Sequence, residues 1–157
     1  MGGGAGLSGD AGLRSPMPWT ANTANAGFTS GTPYRALPAN VANANVQAQA
    51  ADPSSLLAHY KALMALRKAS PAIALGAYVA PFVTGQAMGF QRTLGAERVL
   101  VLLNYGSAAA SLDVGALPAG ASLAPAFPTG VAAASADNAG HARIDMPALA
   151  VRVFQVK

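Results

Sequence analysis

Beyond Gly76 the apolar residues stop recurring at helical spacing and begin to recur at strand spacing, and the helical pattern does not return. Short apolar runs follow at 76–83, 87–94, 97–104, 109–114, 121–127, 142–145 and 148–156. Turn sequences such as Gly85-Gln86, Gly95-Ala96, Pro118-Ala119-Gly120 and Asn138-Ala139-Gly140 separate them. Several short strands at this spacing predict an antiparallel sandwich. The run Val99-Leu100-Val101-Leu102-Leu103 has no polar alternation, so it reads as a strand covered on both faces. The predicted fold class is therefore mainly β, an antiparallel Greek-key β-sandwich, preceded by a loop-rich segment and one long α-helix.

That helix is predicted over 53–69. Asp52 suits an N-cap and Pro53 the first helical position, where its missing N–H costs nothing. Leu56, Tyr60, Leu63, Met64 and Arg67 fall on one stripe, widened by Leu57 and Leu66. Arg67 and Lys68 close the last turn, where cations favour the helix dipole. Ser70-Pro71 ends it, because a residue before proline avoids the α region. Residues 1–51 show no lasting period and are rich in Gly, Asn, Pro, Ser and Thr, with a helical turn weakly indicated over 40–51.

Charge excludes some functions. Only 10% of residues are charged, against roughly 25% in an average soluble domain. The net charge is +4, but the basic residues are scattered and only Arg67 and Lys68 adjoin, so no nucleic-acid-binding face is expected. No apolar run reaches the length of a membrane span, and no membrane partner is expected. There is no cysteine. His59 and His141 are too far apart to supply the three or four converging ligands of a metal site. The glycines at 2, 3, 4, 6, 9 and 12 follow no predicted strand, so they do not read as a phosphate loop. Neither a cofactor nor a metal is implied.

The acids are the informative shortage. They are Asp10, Asp52, Glu97, Asp113, Asp137 and Asp145. Glycoside hydrolysis commonly uses two carboxyls flanking one bond, and no pair of these is expected to converge. No catalytic residue is therefore assigned.

One ordered series of motifs remains. Arg14-Ser15-Pro16-Met17-Pro18-Trp19 resembles the Arg-x-Pro-Met-x-Trp motif of α-glucosidases and related α-amylase-family enzymes. Asn25-Ala26-Gly27-Phe28-Thr29 follows, then Pro33-Tyr34, Asn45-Val46, Gln49, Asp52-Pro53, Ser55-Leu56-Leu57, Tyr60, Leu63, Leu66-Arg67-Lys68, Pro71-Ala72 and Gly76-x-Tyr78. The resemblance implies a C-terminal fragment of an α-amylase-family glycoside hydrolase. Residues 1–72 would be the incomplete end of a catalytic (β/α)8 barrel, including its last helix, and 73–157 the C-terminal antiparallel β domain. A barrel takes about 250 residues, more than this chain of 157 holds. The family's catalytic acids lie upstream of the Arg14 motif, and Met1 is then expected to be an internal methionine.

The resemblance also implies a function: a retaining hydrolase of α-linked glucans and maltooligosaccharides, inactive in this part alone. Arg14 would contact the non-reducing sugar, and Trp19 is the second candidate for sugar contact. Packing is the default expectation for Trp19, Phe28 and Tyr34. The implied partners are an α-glucan or maltooligosaccharide and the missing barrel portion. The helix stripe would pack on barrel strands; without them, poor solubility or docking onto the sandwich is expected. Two rivals stand beside this reading. One is a non-catalytic carbohydrate-binding or structural β module. The other is part of a transglycosylating relative such as a trehalose synthase or sucrose isomerase.

Overall fold

The computed structural model describes residues 14–157. The readings made on Met1, the early glycines and Asp10 lie outside the described residues. The chain divides into two compact units, one ending at Ala62 and the other comprising Leu63–Lys157.

In the first unit, among the described residues, no helix or strand precedes α1, Val46–Ala51. Asn45 starts α1: its side-chain oxygen accepts from the Ala48 N–H, and its amide donates to the carbonyls of Val41 and Ala42. The long helix α2 runs Leu56–Ala69, three residues shorter at its start than expected. Asp52 is not its N-cap. Asp52 ends α1 instead, and its carboxylate accepts from the Ser54 N–H and hydroxyl. Ser55 takes the capping role, its hydroxyl accepting from the Ala58 N–H at 3.1 Å. Serine caps a helix as well as aspartate does, and Ser55 stands directly before the apolar run.

The stripe on α2 does not act as one face. Leu56, Tyr60 and Met64 are exposed, and no residue of the helix is fully buried. In the second unit Leu63 and Leu66 are partly buried against Ala72, Val99, Phe127 and Val153. That end of the helix is therefore docked on the sheet. Ser70 is extended and stops α2 as expected, but a further short helix, α3 at Pro71–Leu75, begins immediately.

Eight strands follow: β1 Ala77–Thr84, β2 Ala87–Leu94, β3 Glu97–Asn104, β4 Ala110–Val114, β5 Ser122–Phe127, β6 Ala134–Ser135, β7 Ala142–Met146 and β8 Ala150–Val156. All pairings are antiparallel. One sheet has the order β1-β2-β3-β8-β5-β6, and β4 pairs only with β7 in a second. Gly85 and Gly95 adopt positive φ in the two tight hairpins joining β1, β2 and β3, a conformation that costs glycine nothing. Pro81 sits on edge strand β1 beside an irregularity in its pairing, where a missing N–H breaks no internal ladder.

The main core lies between the sheets. Leu100, Leu102, Leu123 and Phe154 of the large sheet meet Leu112, Val114, Ile144 and Met146 of the small one. Each such side chain contributes about 2 kcal/mol through burial. Alternate residues of β3, Val99 and Val101, turn the other way into the cluster beneath α3. The apolar run is thus covered on both faces, as its sequence predicts.

Candidate functional site

Backbone hydrogen bonds hold the Pro18-Trp19 end of the Arg14–Trp19 segment. The Pro18 carbonyl accepts from the Val46 N–H at 2.9 Å, and the Trp19 carbonyl from the Gln47 N–H at 3.0 Å. Both contacts anchor the segment to the first turn of α1. The Asn25–Phe28 motif folds back on it: the N–H groups of Trp19 and Thr20 donate to the Ala26 carbonyl at 2.8 and 3.0 Å. Ala26 and Gly27 have φ of 54° and 67°, and the side-chain oxygens of Asn22 and Asn25 support this turn by accepting from Ala24 and Gly27. Ala26 is completely buried.

Several motif residues are therefore scaffold. Asn45 caps α1, and Gln49 uses both its backbone and its side chain to hold the start of α2. Its carbonyl accepts from the Ser55 hydroxyl at 2.7 Å, and its side-chain oxygen from the Leu57 N–H at 3.1 Å.

The side chains open to solvent are different ones. Arg14 is exposed, and Trp19 and Phe28 are about half exposed. Tyr34 is 93% exposed, with the Arg35 guanidinium 5.1 Å from its ring centre. Packing, the default expectation for Trp19, Phe28 and Tyr34, does not enclose these rings among the described residues. A cavity of about 300 Å³ lies beside the segment, lined by Ser15, Met17, Pro38, Asn45, Gln49 and Leu56 among others. The Ser15 hydroxyl is buried and has no hydrogen-bond partner among the described residues.

The five described carboxylates are dispersed. Hydrogen bonds from the Ser54 hydroxyl and N–H hold Asp52 below the usual carboxylate range. Asp137 is likewise lowered, first by the His141 N–H at 2.8 Å, against an opposing effect of desolvation, with the Ala139 N–H and the His141 charge adding to the lowering. Glu97 accepts from Ser70 and Ala72. Asp113 and Asp145 lie on the exposed face of the β4–β7 pair, with Arg143 directly opposite Asp113. None of these five lines the cavity beside Ser15 and Met17. Among the described residues no three His, Cys, Asp or Glu groups converge on a metal position, and no helix is long and apolar enough to cross a membrane.

Two polar networks escape a reading of sequence alone. Gln91, 1% exposed, donates to the carbonyls of Gly115 and Ala116 and accepts from Arg98. Ser70, 2% exposed, joins Glu97 to the start of α3. For the second, the Ser-Pro pair was itself a helix-start signal.

Comparison with known proteins agrees with the motif order. Residues 4–76 match the α-amylase catalytic-domain family. The chain is 36% identical over 103 residues to a probable α-glucosidase of Rhizobium meliloti, covering 66% of this chain and 18% of that protein. It is 37% identical over 97 residues to an oligo-1,6-glucosidase of Parageobacillus thermoglucosidasius, covering 59% and 16%. The chain thus spans less than a fifth of either curated relative's length. The crystal structure of the trehalulose synthase MutB from Pseudomonas mesoacidophila aligns with 93% of this chain and 26% of its own, at a TM-score of 0.72 and 26% identity. A catalytic-domain match ending at residue 76, α-glucosidase relatives and a shared fold across nearly all of the chain place it in the α-amylase family of glycoside hydrolases.

Proposed function

We propose that this chain is the C-terminal part of a retaining glycoside hydrolase acting on α-linked glucans or maltooligosaccharides. Residues 1–72 end its catalytic barrel and 73–157 form its terminal β domain, whose Greek-key character is supported by the chain's repeated passage between the two sheets. The reaction proceeds through a covalent glucosyl-enzyme intermediate formed on acids outside the described residues. The exposed Arg14 carries this reading, because it lies inside the catalytic-domain match and brings a permanent planar charge to a segment whose far end, Pro18-Trp19, is anchored to α1. Arg14 holds sugar hydroxyls of the non-reducing unit, and half-exposed Trp19 of the same motif offers a stacking surface. The exposed apolar residues of α2, Leu56, Tyr60 and Met64, belong against the missing barrel portion.

The dispersal of the described carboxylates supports inactivity of the chain by itself, since two acids must flank one bond. The test is glucose release from maltose by the purified chain, beside a longer protein that contains it. Turnover by the longer protein only is expected, and release by the chain alone overturns the assignment. The likeness to trehalulose synthase favours one second reading, a transglycosylating relative. Product analysis of the longer protein on sucrose and maltose separates the two: isomerised disaccharide supports the second, free glucose the first. Retention of the chain on starch would instead support a binding module.

A further inference from the structure

The catalytic-domain match ends at residue 76, and the segment immediately before that point is pinned to the sandwich by one carboxylate. Glu97 stands at the start of β3, partly buried, with both oxygens engaged. One accepts from the Ser70 hydroxyl at 2.5 Å and the other from the Ala72 N–H at 2.9 Å. Ser70 in turn accepts from the Ile73 N–H at 3.2 Å. A carboxylate and a hydroxyl thus share the otherwise unsatisfied donors at the start of α3, a helix too short to hold its shape alone. Three further observations converge on the same few residues. Ala72 is completely buried, and its carbonyl accepts from the Gly76 N–H at 2.9 Å and from the Arg92 guanidinium at 3.4 Å. A Cβ on Gly76 would lie 2.5 Å from that carbonyl and 2.7 Å from the Thr93 carbonyl. Leu63 and Leu66 of α2 pack on the same cluster.

We infer that Glu97 is a positioning residue, a latch that fixes α3 and the last turns of α2 to the sheet and so makes a rigid joint where the catalytic-domain match ends. The joint rests on this geometry and not on the proposed sugar chemistry, so either can fail without the other. A neutral side chain at position 97 would leave the sheet intact and the joint open.

The test is amide hydrogen exchange, read by NMR on the whole chain, for the native protein, Glu97→Gln, Glu97→Ala and Ser70→Ala. In Glu97→Ala the exchange of the Ala72, Ile73 and Ser70 amides is expected to rise about tenfold or more, the scale of a lost bond to a charged acceptor. Amides of the β2–β3–β8 ladder should keep their protection. Glu97→Gln, which retains one acceptor oxygen, should fall between. Unchanged exchange at Ala72 in Glu97→Ala overturns the proposal. So does an equal rise across helix and ladder in Glu97→Gln, because the carboxylate would then support the whole fold and not a local joint.

Discussion

The side-chain amide of Asn104 donates to the carbonyl of Pro147 at 2.8 Å, joining the end of β3 to the turn that leads into β8. The same nitrogen donates to the Ala108 carbonyl at 2.9 Å, and the side-chain oxygen accepts from the Gly106 N–H at 2.9 Å. Asn104 is 3% exposed, so its removal leaves the buried Gly106 N–H and two part-buried carbonyls without this partner. Asn104→Ala is expected to cost about 3 kcal/mol. Thermal unfolding followed by circular dichroism should show a midpoint roughly 10 °C lower; a shift within error would mean that solvent replaces the side chain freely.

Two glycines with left-handed backbone differ in what surrounds them. A Cβ at Gly140 would lie 2.2 Å from the Leu117 carbonyl oxygen, whereas at Gly120 it meets nothing within 4 Å. Gly120→Ala should cost about 1 kcal/mol from φ alone. Gly140→Ala must also displace backbone and should cost at least about 3 kcal/mol. Urea midpoints of the two variants check the order, and equal midpoints would refute the crowding argument.

Asp137 ties its own turn through the His141 and Ala139 N–H groups, and its carboxyl is lowered below the ordinary value of 3.8. Its stabilising effect is fully present above the unfolded-state value and is lost as pH falls through the lower folded-state value. The His141 and Ala139 amide shifts should therefore move together only below about pH 4. Asp137→Asn should remove that transition; its persistence in the variant would sink the assignment.

The two sides of α2 should respond differently to truncation. Leu66→Ala removes contacts with the sheet and is expected to cost about 1–2 kcal/mol. Tyr60→Ala and Met64→Ala touch exposed positions and should stay within about 0.5 kcal/mol. Chemical denaturation of the three variants decides this, and a loss at Met64 equal to that at Leu66 would show that the stripe is covered in solution.

Arg14→Lys tests the proposed sugar contact within a longer, active protein. Lysine keeps the charge and loses the planar fork, so kcat/KM should fall about tenfold or more. An unchanged value would leave Arg14 as a loop residue.

Much of the strand pattern was legible because alternating and continuous apolar runs have distinct lengths. The runs at 87–94 and 97–104 match β2 and β3 to the residue. Helix α3 was not, since Pro71 reads equally as a terminator and as a first helical residue. The start of α2 was misplaced because Asp52-Pro53 carries local signals that the neighbouring α1 overrides. The Arg14 segment was legible only through its likeness to a family. Its anchoring to Val46 and Gln47 is made by backbone groups, which leave no mark in side-chain identity.

Strand β3 is aliphatic on both sides, with Leu100 and Leu102 facing one core and Val99 and Val101 the other. Sliding it by one position would exchange valines for leucines and forfeit little oiliness, so its greasy middle is a poor ruler. Its polar ends do the measuring: Arg98 meets Gln91 of β2, and Asn104 meets Pro147 ahead of β8. Polar residues at the tips of an otherwise featureless strand thus act as alignment marks for the whole sandwich.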